Sequence, residues 1–350
     1  MQLGIIGMPF SGKTTVFELL TETKIGNKNQ TKANIAMVKI PDRRIDRLSR
    51  FYRPKKTTYA QLELVDIPGI NEADRKSSNL FLDAVRRADA LLQVVRVFSD
   101  STGLSLAPLQ EIENIAYELL LSDLDLIEKR IERINEGKKK GHALEELDLL
   151  EKLKATISEE LPLSSVALSE AEQKMLSNYQ FLTLKPLLVC LNLSDDALQS
   201  GDYVDKTAIL EYCSSRGLPM VELSAGIEKE ISELLPEEKE EFLKDLGLNS
   251  SGLERVARGL YEKLNLISFF TVGDDEVRAW TIHKGTIAKH AAGKVHSDME
   301  RGFIRAEVFS YQDFTELGSV NAIKEKGLFR LEGKEYIVQD GDVVHIRFNI

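Results

Sequence analysis

The chain has 350 residues, too many for a single compact core and enough for two or three domains. Hydrophobic residues make up 43% and charged residues 29%, which excludes a disordered tail-like protein and suits a folded soluble one. The net charge of −10 excludes a protein that coats nucleic acid non-specifically, while leaving room for a local basic face.

Strand, glycine-bearing loop and helix are expected in that order at the start: the apolar run Gln2–Ile6, glycine 7, then a helical pattern over 14–20. Such a start runs directly into a motif and is not expected to act as a secretion signal. Residues 21–34 are polar, lack periodicity and read as a loop. Strands are expected over 35–40, 60–65 and 91–98, with an amphipathic helix over 79–88. This alternation predicts an α/β fold with a mostly parallel sheet covered on both faces.

From 106 to 161 the strand signal stops. Leu109, Ile112, Ile115, Leu119, Leu124, Ile127, Ile131 and Ile134 recur at helical spacing, as do Leu144, Leu147, Leu150, Leu153, Ile157 and Leu161 after the turn GKKKGH. An inserted antiparallel helical hairpin is expected, its apolar stripes packed together. The α/β rhythm resumes with strands over 186–191 and 220–223, and helices around 206–216 and up to about 264. After residue 265, short strand-like runs over 267–272, 277–282, 304–309, 336–338 and 343–348 surround a helical patch at 286–292 and predict a compact mixed β domain. The expected domains are 1–105 with 181–265, 106–180, and 266–350. Cys190 and Cys213 sit in apolar and helical patterns and read as reduced core thiols. No apolar run approaches the ~20 residues of a bilayer span. A reducing, cytoplasmic setting without membrane attachment is the expectation.

Gly7-Met8-Pro9-Phe10-Ser11-Gly12-Lys13-Thr14 fits the P-loop pattern G-x-x-x-x-G-K-[ST] at every fixed position, in the strand–loop–helix context that the chemistry needs. Backbone N–H groups of such a loop turn toward phosphate oxygens, and the helix start favours negative charge; Pro9, Phe10, Ser11, Gly12, Lys13, Thr14 and Thr15 are the expected nucleotide-binding residues here. Lys13, read as a largely solvent-facing charge, would reach the β- and γ-phosphates, and the Thr14 hydroxyl would ligate Mg²⁺. Asp66-Ile67-Pro68-Gly69 ends a strand, where open α/β sheets bind ligands. Asp66 would hold Mg²⁺ through water and the Gly69 N–H would sense the γ-phosphate, so Lys13 and Gly69 carry the catalytic roles. Asn192-Leu193-Ser194-Asp195 and Ser224-Ala225-Gly226 follow two later strands, where switch GTPases place N-K-x-D and S-A-K to read the base. Asn192, Leu193, Asp195, Ser224, Ala225 and Gly226 are therefore the expected base-end residues, with Leu193 in place of a stacking lysine.

GMPFSGKTT, VKIPDRR, VDIPG, LKPLLVCLN, VELSAGIEKEI and the C-terminal blocks FFTVGDDEVRAWTIHKGTIAKHAAGKVHSDMERGFIRAEV and EGKEYIVQDGDVVHIRFN together resemble the YchF/Obg-like ATPase family of translation-factor P-loop GTPases, over nearly the whole chain. The resemblance implies an α/β nucleotide domain, a coiled-coil insertion and a C-terminal TGS domain, a ubiquitin-like β-grasp. It also implies Mg²⁺-dependent binding and slow hydrolysis of GTP or ATP, and docking on the ribosome, its large subunit and RNA, through the TGS and helical domains. DNA is not an expected partner. A switch-I threonine on the metal is implied too, with Thr31 as the candidate. The chain departs from the family at Phe10, where asparagine is usual, and at Asp195, where glutamate is usual. It departs again at Ala84, where a histidine proposed to position water is usual, while Ile70 matches the family's hydrophobic switch II. With neither Ala84 nor Ile70 polar, hydrolysis is expected to be slow; the alternative expectation is a nucleotide-bound scaffold with little hydrolysis.

Overall fold

The computed structural model describes residues 2–24, 34–69, 75–99, 105–137 and 141–349. Thr31 and Ile70, expected in switch I and switch II, and the lysines of the hairpin turn lie outside the described residues. The chain divides into two compact units, one formed by 1–38 and 63–260, the other by 39–62 and 261–350.

The first unit is built on a six-stranded sheet in the order Asn34–Lys39, Gln61–Asp66, Gln2–Ile6, Ala90–Val97, Leu187–Leu193, Met220–Leu223. The last five run parallel, each pair in continuous register. Every residue of the strand Ala90–Val97 is buried, as expected for a central strand covered on both faces. Helix Arg75–Arg87 covers one face, where Phe81 and Val85 pack on Ile6, Val65 and Ile67. Cys190 and Cys213 are buried and unpaired, and burial pushes the Cys190 thiol up to about 12.

The helical hairpin is present as Pro108–Glu136 and Gly141–Ser158. It has its own core of Ile127, Ile131, Ile134, Leu150, Leu153 and Ile157. It does not separate from the nucleotide-binding sheet as the expected 106–180 division would have it. The first turns of Pro108–Glu136 send Ile112, Ile115 and Leu119 into the sheet's own clusters. Fully buried Asp123 fastens the same helix to the chain returning toward the sheet, accepting from the Leu182 N–H, the Thr183 N–H and the Thr183 hydroxyl, each at 2.8 Å. Burial raises that carboxyl and these three bonds oppose the rise. The strand leading to Asn192 begins four residues beyond Thr183.

The second unit is a mixed sheet in the order Arg330–Glu332, Phe303–Ser310, Asp342–Phe348, Leu266–Val272, Glu276–His283, Lys56–Thr58. Helix Ala288–Val295 buries its alanine face (Ala288, Ala291, Ala292) against Phe269, Val308 and Ile346. Sheet wrapped on helix is the β-grasp arrangement the resemblance implies. Two details differ from the sequence reading. Residues 336–338 form only an isolated bridge, Ile287 to Ile337, and the edge strand is Arg330–Glu332 instead. Residues 39–62, expected within the nucleotide domain, group with the C-terminal residues because Lys56–Thr58 pairs in parallel with Glu276–Arg278.

Candidate nucleotide and magnesium site

The first parallel strand ends at Ile6 and the helix begins at Lys13, so residues 7–12 form a tight loop at the carboxyl edge of the sheet. Two glycines are required there. A Cβ on Gly7 would lie 2.5 Å from the Val94 carbonyl oxygen and 2.7 Å from Ser11 Oγ. Gly12 has φ +84°, and a Cβ on it would fall on the Asn192 amide nitrogen. Pro9 and Phe10 are exposed at the loop's crest, Phe10 at 64%, and Phe10 itself has φ +66°. That left-handed conformation is one asparagine tolerates and phenylalanine does not favour. Thr14 and Thr15 open the helix and are exposed.

Lys13 does not face solvent as expected: its side chain is 12% exposed. Its Nζ donates to the Ile67 carbonyl oxygen at 2.5 Å and lies 3.9 Å from Asp66 Oδ1. Burial lowers the lysine's pKa, with Asp66 opposing. Burial raises the Asp66 pKa, with Lys13, Asn34 and Thr14 opposing. Both groups are thus driven toward their neutral forms, so at this separation desolvation outweighs their mutual attraction. Thr14 Oγ1 lies 3.4 Å from Asp66 Oδ2, while Asp66 Oδ1 is buried with no hydrogen-bond partner. A hydroxyl and an unsatisfied carboxylate oxygen, side by side, are hard donors of the kind Mg²⁺ takes, so the residues fit that ion. Gly69 completes the arrangement. A Cβ there would stand 3.2 Å from the Gly7 carbonyl oxygen and 3.6 Å from Lys13 Nζ, so its bare backbone faces the loop.

Asn192 is 3% exposed and works as a strut. Its Nδ2 donates to the Ser11 carbonyl oxygen at 3.2 Å, and its Oδ1 accepts from the Ala225 N–H at 3.1 Å, tying the P-loop to the residues after the last strand. Asp195 is exposed at the start of a short helix, and its Oδ1 accepts from the buried Ser224 hydroxyl. Ser224 also caps the helix Ala225–Glu233, accepting from the Ile227 N–H at 3.3 Å. A Cβ on Gly226 would lie 2.9 Å from Asp195 Oδ1. Asp195, Ser224, Ala225 and Gly226 therefore form one cluster. Leu193 does not join it: it is buried at 2%, packed with Val95, Val97 and Ile209, so its side chain is core and not a base platform. Asn192 and Leu193 are successive strand residues and point to opposite faces, a period-two signal that the sequence already contained.

Ala84 packs against the apolar cluster of Ile6, Val65, Ile67 and Phe81, as does Met8 of the P-loop. No polar atom comes from this position.

Residues 2–132 match the family described as "50S ribosome-binding GTPase", and residues 266–349 match the YchF GTPase C-terminal family, described as a protein of unknown function (DUF933). The ribosome-binding ATPase YchF of Bacillus subtilis is 40% identical over 361 residues, covering 99% of each chain. That of Haemophilus influenzae is 41% identical over 360 residues, again with 99% of each covered. The solved structure of the Schizosaccharomyces pombe YchF GTPase superposes with a TM-score of 0.89 at 31% identity, over 99% of this chain and 97% of that one.

Proposed function

The chain belongs to the YchF family, and on that premise we propose that it binds a purine nucleoside triphosphate with Mg²⁺, hydrolyses it slowly, and associates with the ribosome as a nucleotide-dependent switch. The observation that carries the nucleotide part is the pair Lys13 and Asp66. Both are held out of water beneath the P-loop, both are pushed toward neutrality, and one Asp66 oxygen lacks a partner. At 3.9 Å the two are only loosely paired, so a triphosphate would give Lys13 a closer anion and Mg²⁺ would give Asp66 a closer cation. Gly69, whose backbone lies against the loop, would sense the γ-phosphate. When bound, the metal would neutralise charge developing on the phosphoryl oxygens. Lys13 would hold those oxygens, and Asp195 with Ser224 to Gly226 would read the base.

The name ribosome-binding ATPase, carried by relatives matched end to end, supports the ribosome as partner. Lysine and arginine residues of the C-terminal unit (Lys284, Lys289, Lys294, Arg301, Arg305) are candidate phosphate contacts there on the large subunit. A second reading, a nucleotide-bound scaffold with little turnover, is favoured by one observation: Ala84 packs against an apolar cluster and offers the attacking water nothing.

Calorimetric titration of Mg²⁺–GTP and Mg²⁺–ATP tests the first part. Wild type is expected to bind and Lys13→Ala to lose tight binding, whereas equal affinities would remove the phosphate-site assignment. Co-sedimentation with ribosomes tests the second, and single-turnover hydrolysis with and without ribosomes separates switch from scaffold.

A further inference from the structure

In a chain of net charge −10, residues 42–56 hold seven cations against two carboxylates. Ten of these residues form the helix Arg43–Tyr52, capped by Asp42, which accepts from the Arg44 N–H at 2.9 Å. Ile45 and Leu48 are fully buried and fasten one face. The cations then separate into two sets. Arg44 turns inward, doubly bonded to Asp42, joined to Asp340 at 2.7 Å, and lying over the Phe270 ring. Lys55 and Lys56 pair with Asp275 and Glu276. These three hold the segment to the C-terminal sheet. Arg43, Arg47, Arg50 and Arg53 are all exposed, and among the described residues no carboxylate pairs with them.

Arg43, Arg47 and Arg50 recur at steps of four and three and share one helix face, which Phe51 extends by a further step of four from Arg47. Like charges at those steps repel, and a cation in the first turn opposes the helix dipole, so this face weakens the helix that bears it. Asp46, the carboxylate within the helix, is engaged by the Tyr59 hydroxyl. Phe51 is half exposed, and its ring is fixed edge-on by Tyr52 at 5.2 Å and Phe314 at 4.8 Å. Unpaired guanidinium groups beside an oriented, open aromatic ring match what a single-stranded nucleic acid offers, phosphates together with a base that can stack. An acidic protein segment would use the arginines and leave the ring without a purpose.

We infer that the exposed face Arg43, Arg47, Arg50 and Phe51 docks single-stranded RNA, the arginines on phosphates and Phe51 under a base. That the strand is RNA rests on the ribosome reading above; the surface itself rests on the charge, exposure and ring geometry.

The test is fluorescence-anisotropy titration of the full chain against a short labelled single-stranded RNA, at several salt concentrations. The triple variant Arg43→Gln, Arg47→Gln, Arg50→Gln is expected to lower the slope of log affinity against log salt by about 2, since a single strand contributes about 0.7 per phosphate contact. Phe51→Ala is expected to weaken binding by about five- to 150-fold with the salt slope unchanged, the range for losing one stacked base. Trp280 fluorescence, in the same compact unit as this helix, serves as the folding control, and nucleotide titration should match wild type because the helix contributes nothing to the P-loop site. Equal RNA affinity and slope in wild type and triple variant would overturn the inference with the ribosome reading untouched. Polyglutamate competing as well as RNA of equal charge would overturn it in favour of an acidic protein partner. Failure of wild-type protein to co-sediment with ribosomes, with arginine-dependent RNA binding intact, would sink the ribosome reading and leave this surface standing.

Discussion

Asn192→Asp is a change of one heavy atom, and the structure says its cost depends on pH. The wild-type amide lies between a carbonyl, Ser11 O at 3.2 Å, and an N–H, that of Ala225 at 3.1 Å, so only one orientation satisfies both. Aspartate keeps the acceptor but sets a second oxygen against the Ser11 carbonyl. Ionised, it is a buried charge with a lone pair facing a lone pair; protonated, its O–H can donate to Ser11 O and rebuild the pair. In a site 3% exposed, burial should raise the new carboxyl above its unfolded value of about 3.9. A carboxyl raised in the folded state is not penalised below the unfolded pKa, and loses stability as pH rises toward the folded one. Linkage then makes the loss relative to wild type grow from pH 5 to pH 8, by about 1.4 kcal/mol for each pH unit between the unfolded and folded pKa. Urea unfolding followed by far-ultraviolet circular dichroism across that range measures the gap. The fluorescence of Trp280, in the other compact unit, is a companion signal for that unit. Asn192→Ala should lose both bonds at every pH, a flat cost of about 2 kcal/mol. A loss for Asn192→Asp that is equal at pH 5 and pH 8 would refute the strut.

Three further outcomes follow from the site. Affinity for Mg²⁺–nucleotide should be bell-shaped in pH: it falls on the acid side as the raised Asp66 carboxyl protonates, and on the alkaline side as the lowered Lys13 deprotonates. Calorimetry on Asp66→Asn should find the acid limb gone, and a limb that persists would assign it to another group. Phe10→Asn should raise stability by about 0.5–1 kcal/mol by relieving the left-handed backbone at little cost in burial, and a destabilised variant in urea unfolding would contradict that conformation. Intrinsic turnover should fall well below the ~10 s⁻¹ typical of enzymes, as no polar side chain is supplied at Ala84; several turnovers per second without a partner would refute this.

The strand–loop–helix geometry of the proposed phosphate end was legible in the sequence because its determinants are contiguous. A loop between an apolar strand and a helix start fixes where its N–H groups point, and Gly7, Gly12, Lys13 and Thr14 need no distant residue to be recognised. The burial of Lys13 was not legible. It follows from the Ile67 carbonyl and Asp66, more than fifty residues along, closing over the lysine. The same holds for Asn192, whose place at a strand end was readable but whose work as a strut depends on partners 181 and 33 residues away. Leu193 was misread for a different reason: alignment with a GTPase base motif overrode the alternation of the strand it ends.

The stretch 39–62 went furthest astray, and the reason bears on what the segment does. Its strand, Lys56–Thr58, has three residues and no hydrophobic alternation, so nothing local marks it; its partner Glu276–Arg278 lies 220 residues on. The helix before it carries local signals, a capping Asp42 and Ile45, Leu48 and Tyr52 at helical spacing, yet no element was expected between the strands at 35–40 and 60–65. Its arginines divide once the partners are known: Arg44 is spent on Asp42 and Asp340, and Arg43, Arg47, Arg50 and Arg53 pair with no carboxylate among the described residues. A segment that merely connected two strands of the nucleotide sheet would need neither set. Removing 267–350 to test ribosome binding would leave Arg44 without Asp340 and Lys56–Thr58 without its neighbouring strand, so such a deletion would disturb the arginine helix along with the C-terminal lysines. Substitutions at Arg43, Arg47 and Arg50, and separately at Lys284, Lys289 and Lys294, distinguish two sources of salt dependence that a deletion would merge.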